Sequence, residues 1–250
     1  MSAIRSGAVI AAGEGSRLKS LGVPKPLIEV GGRPLIAHVL SRFEAAGIER
    51  AAVIFNDAGR DAEPYVRERF GALVETIVVK TTRSSLDSFR EVLEVAPPGR
   101  LLVSTVDAFC PVGEFVRFVR LAAEKPSSAT VLAVTRFVDD EKPLWVTASR
   151  DGRVRSIGGS SGDAVTAGIY VFPERVRKMG IPDSLGRLRD FLAALAKADE
   201  PIESVEIPKV VDIDRPSDLE EAEALAREDA YFQADSAASR LAPSASRETR

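Results

Sequence analysis

Gly7-Ala8-Val9-Ile10-Ala11-Ala12-Gly13-Glu14-Gly15-Ser16-Arg17-Leu18, with Pro24-Lys25-Pro26-Leu27 just beyond it, is the stretch that decides how this chain is read. Residues 7–11 are small and β-branched, the pattern of a strand buried on both faces. Two glycines follow at once. In open α/β folds ligands bind beyond the carboxyl ends of the strands, and a glycine-rich backbone comes close to a phosphate because no Cβ intervenes. Arg17 and Lys25 add positive charge at the same place. The prolines on either side of Lys25 fix its backbone, which lowers the entropy lost in aiming the ammonium. Two familiar phosphate cradles fail at one residue. Leu18 stands where a dinucleotide fingerprint needs its third glycine, and also where a P-loop needs the glycine before Lys19-Ser20.

The blocks Ala11 to Leu18, Pro24 to Leu27 and Gly31-Gly32-Arg33-Pro34-Leu35-Ile36 match in order and spacing the signature of a known family. The chain resembles the nucleotidyltransferases that make nucleotide-sugars and CDP-alcohols, more weakly along residues 4–227. The resemblance implies an α/β fold, a Rossmann-like three-layer sandwich with a mostly parallel mixed sheet of the nucleotide-diphospho-sugar transferase type. It also implies transfer of a nucleoside monophosphate from an NTP to a phosphorylated sugar or alcohol, with pyrophosphate released. Arg17 and Lys25 would then lie on the triphosphate, and Ala11, Ala12, Gly13, Gly15 and Ser16 would form its loop. A guanylyl- or cytidylyltransferase acting on a molybdenum-cofactor type of pterin shares this opening loop. A glycosyltransferase using Asp212-Ile213-Asp214 and an inactive nucleotide-binding regulatory protein are the other readings.

Composition narrows the chemistry. The 250 residues hold 34 Lys and Arg against 37 Asp and Glu, a net charge of −3 with the signs interspersed. Such a surface suits neither nucleic acid nor membrane. Cys110 and His38 are the only residues of their types, so an internal disulfide and a cysteine-rich metal site are excluded. Ser-His-Asp, Cys-His and His-zinc mechanisms would all rest on His38. It lies in an apolar helical pattern with Leu35, Ile36, Val39, Leu40 and Phe43, where a packing or surface role is expected. No signal pattern opens the chain and no apolar run approaches the length of a membrane span. A cytoplasmic protein is expected, and a homo-oligomer is not indicated.

Alternation of strand and helix fills the first half. Strands are expected over 50–55, 73–79 and 101–106, with helices over 34–46 and 85–95, a pattern that builds a parallel sheet covered on both faces. The second half reads as strands over 129–136, 144–149, 153–157, 167–172 and 202–208, with Asp151-Gly152 a hairpin turn. A helix is expected over 185–197. The last helix should open with Ser217 as N-cap and Glu220 at N3, a capping box. Residues 1–231 form the expected domain, and 232–250 lack periodicity and read as a disordered tail.

Carboxylates appear where a divalent metal would need them. Asp107 follows the fourth strand at the ligand-binding edge. Asp212 and Asp214 are two residues apart, so in an extended segment both face one side. Joining two phosphates requires their charges to be relieved, and Mg²⁺ with oxygen ligands does this. In the family that the chain resembles, an aspartate after a central strand and a late aspartate hold the metal. Asp107 and Asp214 fit those places, with Asp212 an alternative or additional ligand. Many members carry a glycine before the first aspartate; here Val106 precedes Asp107. The segment from Thr82 to Ser85 resembles the part that meets base and ribose, while Ser84 or Ser85 serves equally well as an ordinary helix cap. Gly168 lies in a strand resembling the acceptor side, where it admits the acceptor or marks a bulge.

Overall fold

The computed structural model describes residues 3–139 and 141–229. Strand β1 (Ser6–Ala11) runs into the glycine loop, and the short hairpin of β2 (Glu29–Val30) and β3 (Arg33–Pro34) leads to α1 (Leu35–Ala45). Then come β4 (Arg50–Phe55), α2 (Glu63–Phe70), β5 (Val74–Val79), α3 (Ser85–Val95), β6 (Leu101–Thr105), β7 (Ala108–Phe109) and α4 (Val112–Glu124). The second half holds β8 (Thr130–Thr135), β9 (Trp145–Ala148), β10 (Val154–Ile157), β11 (Ala164–Phe172) and α5 (Glu174–Lys178). It closes with α6 (Leu188–Lys197), β12 (Ile202–Glu206), β13 (Val211–Asp212) and α7 (Pro216–Glu228).

Nine strands form one mixed sheet, in the order β10-β9-β11-β6-β1-β4-β5, with β8 on β11 and β12 on β8. Strands β6, β1, β4 and β5 are mutually parallel. Only β11 and β10 run against the rest. The period-2 alternation of the strands explains the layers. Val9, Ala51, Val53 and Phe55 pack with α1, α2, α4 and α7 on one face. Ala8, Ile10, Ala52 and Ile54 pack with α3, α5 and α6 on the other. The expected three-layer α/β architecture is the one observed. No helix among the described residues is long and apolar enough to cross a membrane.

Local differences have local causes. Helix α7 is capped by Arg215 with Asp218 at N3, not by Ser217 and Glu220. Pro216 takes the first helical position, which its fixed φ and missing N–H suit, and this starts the helix two residues early. The Asp218 carboxylate then accepts from the backbone N–H of Arg215 at 2.7 Å and of Asp214 at 2.9 Å. Helix α6 begins at Leu188 because Arg187 is still extended, at φ −140°. Helices α2, α4 and α5 are not among the elements expected from the sequence. The tail expected over 232–250 lies outside the described residues.

Candidate active site

Register carries three chain segments to one edge of the sheet. Ala11 at the end of β1 is level with Phe55 at the end of β4, and Ile10 is level with Thr105 at the end of β6. The glycine loop, Asn56 and Asp107 follow these strand ends directly. Gly15 is in the left-handed region, at φ +55°, and a Cβ there would stand 3.0 Å from the Cβ of Lys25. Only glycine meets both conditions easily. Among the described residues, the backbone N–H groups of Gly13, Glu14 and Gly15 have no protein acceptor, which leaves them to an anion. Leu18, the residue that breaks the two common cradle patterns, is buried in the core and anchors the turn over Ser16–Leu21. The buried amide of Asn56 braces the loop: Nδ2 donates to the carbonyls of Ala12 at 3.3 Å and Gly13 at 3.1 Å, while Oδ1 accepts from Gly59 N–H at 2.7 Å. Sequence reasoning missed this residue. Its signal was a lone amide at the end of an otherwise apolar strand.

Lys25 sits in a 3₁₀ turn between its two prolines. Its side chain is only 5% exposed, and its Nζ donates to Asp107 Oδ2 at 2.6 Å and Asp214 Oδ1 at 2.5 Å. Burial by itself would depress the lysine pKa, but the two carboxylates outweigh it and raise it. Burial opposes charge on Asp107 as well, and there the Lys25 charge and hydrogen bond prevail and lower the pKa. The two acids meet because β13 pairs antiparallel with β7, setting Asp212 opposite Ala108. The N–H of Ile213 also donates to the carbonyl of Asp107 at 3.1 Å. Asp107, Asp212 and Asp214 thereby each offer an oxygen within 4.8 Å of the others. Arg17 lies at the rim, 3.8 Å from Asp214 and 3.5 Å from Glu141.

Behind β7 the structure is rigidly held. Arg42 on α1 is buried, and its guanidinium donates to the carbonyls of Ala108 at 2.8 Å and Cys110 at 3.3 Å. It also lies over the rings of Phe109 and Phe115. His38, one turn earlier, is buried against the edge of Phe109, and its Nε2 is 2.8 Å from the Val30 carbonyl. Burial pushes its pKa down to about 3. Histidine serves packing here, and Cys110 is likewise buried, its thiol pushed up by burial.

Beside the acids opens a cavity of about 290 Å³, lined among others by Asp107, Gly168, Tyr170, Ser85 and Arg189. Gly168, at φ +70°, is where the register of β11 on β8 shifts, so it is a bulge that also faces the cavity. Ser84 is the cap of α3, accepting from Asp87 N–H at 3.1 Å. Ser85 reaches the cavity, and its Oγ accepts from Leu188 N–H at 3.2 Å. Thr82 is instead drawn into the cap, 2.7 Å from Ser88 Oγ. Arg187, Arg189 and Arg215 line the cavity too, and the sequence reading gave none of them a role.

Residues 7–167 match the family model of the MobA-like NTP transferase domain. The chain belongs to this family. Among curated proteins it is similar to the bifunctional protein GlmU of Heliobacterium modesticaldum, 30% identical over 142 residues, or 55% of this chain and 29% of that protein. It is also similar to the 2-aminoethylphosphonate cytidylyltransferase of Lancefieldella rimae, 31% identical over 105 residues, or 40% of this chain and 41% of that one. The chain thus spans less than a third of the GlmU relatives that it matches. Solved structures share the fold of this transferase domain. The inositol-1-phosphate CTP transferase from T. maritima superposes with a TM-score of 0.77 at 20% identity, over 92% of this chain and 99% of that one. A UDP-glucose pyrophosphorylase complexed with UDP-glucose does so with a TM-score of 0.75 at 16% identity, again over 92% and 99%.

Proposed function

We propose that this NTP transferase domain moves a nucleoside monophosphate from an NTP to a phosphorylated sugar or alcohol, releasing pyrophosphate. The observation that carries the reading is the Lys25 ammonium held between Asp107 and Asp214, at the sheet edge where the glycine loop ends. The loop N–H groups of residues 13–15, with Arg17 and Lys25, receive the triphosphate. An oxygen of the acceptor phosphate attacks the α-phosphorus, the bond from that phosphorus to the β-phosphate bridge breaks, and pyrophosphate leaves with the electron pair. The attacking phosphate is already an anion at neutral pH, so no general base is needed. That agrees with the buried, packing role of the one histidine. Catalysis comes from positioning and from charge placed where charge develops.

Asp107, Asp212 and Asp214 fit a divalent cation. They are hard oxygen donors, close together, and the space between two of them already accommodates a positive group in the Lys25 ammonium. We assign Mg²⁺ to Asp107 and Asp214, with Asp212 as a further ligand. When bound, Mg²⁺ relieves the repulsion between the two phosphates and withdraws electrons from the reacting phosphorus. Ser85 and the loop residues Ala11, Ala12, Gly13, Gly15 and Ser16 serve the nucleotide, and Gly168 leaves room for the acceptor.

Pyrophosphate release is the test, measured for each common NTP against sugar 1-phosphates, phosphocholine and inositol phosphate, and against phosphorylated sugars and alcohols that carry a second phosphate or a carboxylate. One pair should support turnover, and Asp107→Asn should reduce it by at least about 10²-fold while the circular dichroism and unfolding transition persist. Release that is absent with every pair, or undiminished in Asp107→Asn, would refute the reading.

A further inference from the structure

The cavity has two chemically different regions. One is the acidic group of Asp107, Asp212 and Asp214. The other is formed by Arg187, just before α6, and Arg189 in its first turn. The cavity's remaining arginines are matched by acids: Arg17 with Asp214 and Glu141, and Arg215 with Asp218 and Asp139. Among the described residues Arg187 and Arg189 have no such carboxylate. Arg189 donates to the Lys142 carbonyl at 2.9 Å, which fixes its guanidinium without neutralising it. Phe137, Leu144, Val165 and Leu188 line the same cavity, with Arg187 exposed and Arg189 half-buried.

Tyr170 and both regions line this one cavity. The buried Tyr170 phenol is pushed up to about 12, mainly by burial, and it feels Asp212 and Asp107 as well as Arg189. In the proposed reaction the triphosphate is accounted for by the loop, Arg17 and Lys25, and the reacting phosphate by the cation that Asp107, Asp212 and Asp214 would hold. The guanidinium charge remains unused.

We infer that the acceptor carries a second oxyanion, a carboxylate or a further phosphate, away from its reacting phosphate, and that Arg187 and Arg189 select for it. This rests on the transfer reaction proposed above. A forked guanidinium suits either oxyanion. The same charges repel an acceptor whose far end is an ammonium, so phosphocholine-like molecules are disfavoured by like charge.

A three-carbon series isolates the charge: propyl phosphate, 3-phosphooxypropanoate, 1,3-propanediol bisphosphate and 3-aminopropyl phosphate. Their dissociation constants are measured by calorimetry on the full chain with Mg²⁺. At least one of the two compounds with an anionic group at each end should bind about tenfold more tightly than propyl phosphate, and the amine should bind most weakly. Which compound gains identifies carboxylate or phosphate as the preferred group. Arg187→Gln with Arg189→Gln should erase the preference, and Arg189→Lys should restore part of it on the Arg187→Gln background. Equal binding across the series, including no binding by any member, overturns the inference, as does a preference that survives the double substitution. These results are separable from the reaction itself. Pyrophosphate release without oxyanion preference sinks the inference and spares the reaction, whereas oxyanion preference without release from any NTP sinks the reaction and, with it, the reading of the bound molecule as an acceptor.

Discussion

Lys25→Met removes the charge at the centre of the site while keeping most of the buried stem. The lost ammonium contacts Asp107 at 2.6 Å and Asp214 at 2.5 Å, with the Lys25 side chain 5% exposed, Asp107 21% and Asp214 44%. Breaking a buried pair by removing one partner costs about 3–5 kcal/mol. The exposure of Asp214 screens its share, so the lower end, about 3 kcal/mol, is expected. For a domain of this size that corresponds to a fall in Tm of roughly 6–12 °C. A divalent cation supplies the missing charge, so Mg²⁺ should raise the Tm of the variant more than that of the wild type, where the ammonium competes for the same carboxylates. The pH dependence has a definite sign. Lys25, its pKa raised by the two acids against burial, contributes fully below its ordinary 10.5 and loses this only above its folded value. Asp107, lowered by Lys25 against burial, contributes fully above its ordinary 3.8 and loses this as pH falls through its folded value. The difference between wild type and variant should therefore be flat from about pH 5 to 9 and shrink outside that window. Thermal and urea unfolding, each with and without Mg²⁺, measure it. Equal stability, or the same Mg²⁺ shift in both proteins, would refute the reasoning.

Three further substitutions probe the scaffold. Gly168→Ala must hold φ +70° and place a Cβ 2.6 Å from Thr105 Oγ1 and 3.1 Å from Ala108 Cβ. It should cost about 2–4 kcal/mol in urea unfolding and slow pyrophosphate release, and a loss under about 0.5 kcal/mol would contradict the strain. Arg42→Met strips the Ala108 and Cys110 carbonyls of their donor. It should destabilise by about 2–4 kcal/mol and lower turnover more than binding of the NTP, as read from kcat against KM. His38 has its pKa depressed to about 3 by burial. Between that value and 6.5 the unfolded chain binds a proton that the folded chain lacks, so stability falls with falling pH by up to about 1.4 kcal/mol per unit. His38→Gln keeps a donor for the Val30 carbonyl and should flatten urea midpoints between pH 4 and 6.5; an unchanged slope would count against a neutral, buried imidazole.

What the chain disclosed in advance was whatever has a local period or a local breaker. The strands of the parallel half could be read because apolar runs alternate with helical stretches closed by Gly47 and by Pro97-Pro98-Gly99. Helix α4 carried a comparable signal in Phe115, Phe118, Val119 and Ala122, all buried, yet the short turn after Asp107 obscured its start. Helix α2 is intrinsically faint, with only Val66 and Phe70 buried. The capping error at α7 came from weighing Ser217 and Glu220 above the proline that decides where the helix begins.

The site divides along the same line. Arg17, Lys25 and the glycines stand together in sequence because one loop and one turn carry them, so their spacing is itself the signal. Asp107 and Asp214 are far apart in the sequence, and what joins them is β7 on β13, two residues paired with two. Strands that short have no periodicity to read. The carboxylates were found by chemistry instead, from the demand that a triphosphate places on its surroundings. Arg187 and Arg189 escaped because surface helices commonly carry arginine, and only the folded cavity shows that these two line it. In the proposed reaction, the loop and lysine that receive the triphosphate lie in local motifs, whereas the groups proposed to select the acceptor lie on elements that meet the rest of the cavity only after folding. The substitutions that change which molecule attacks should therefore lie at positions such as Arg187 and Arg189, and those that abolish attack should lie at Lys25 and Asp107.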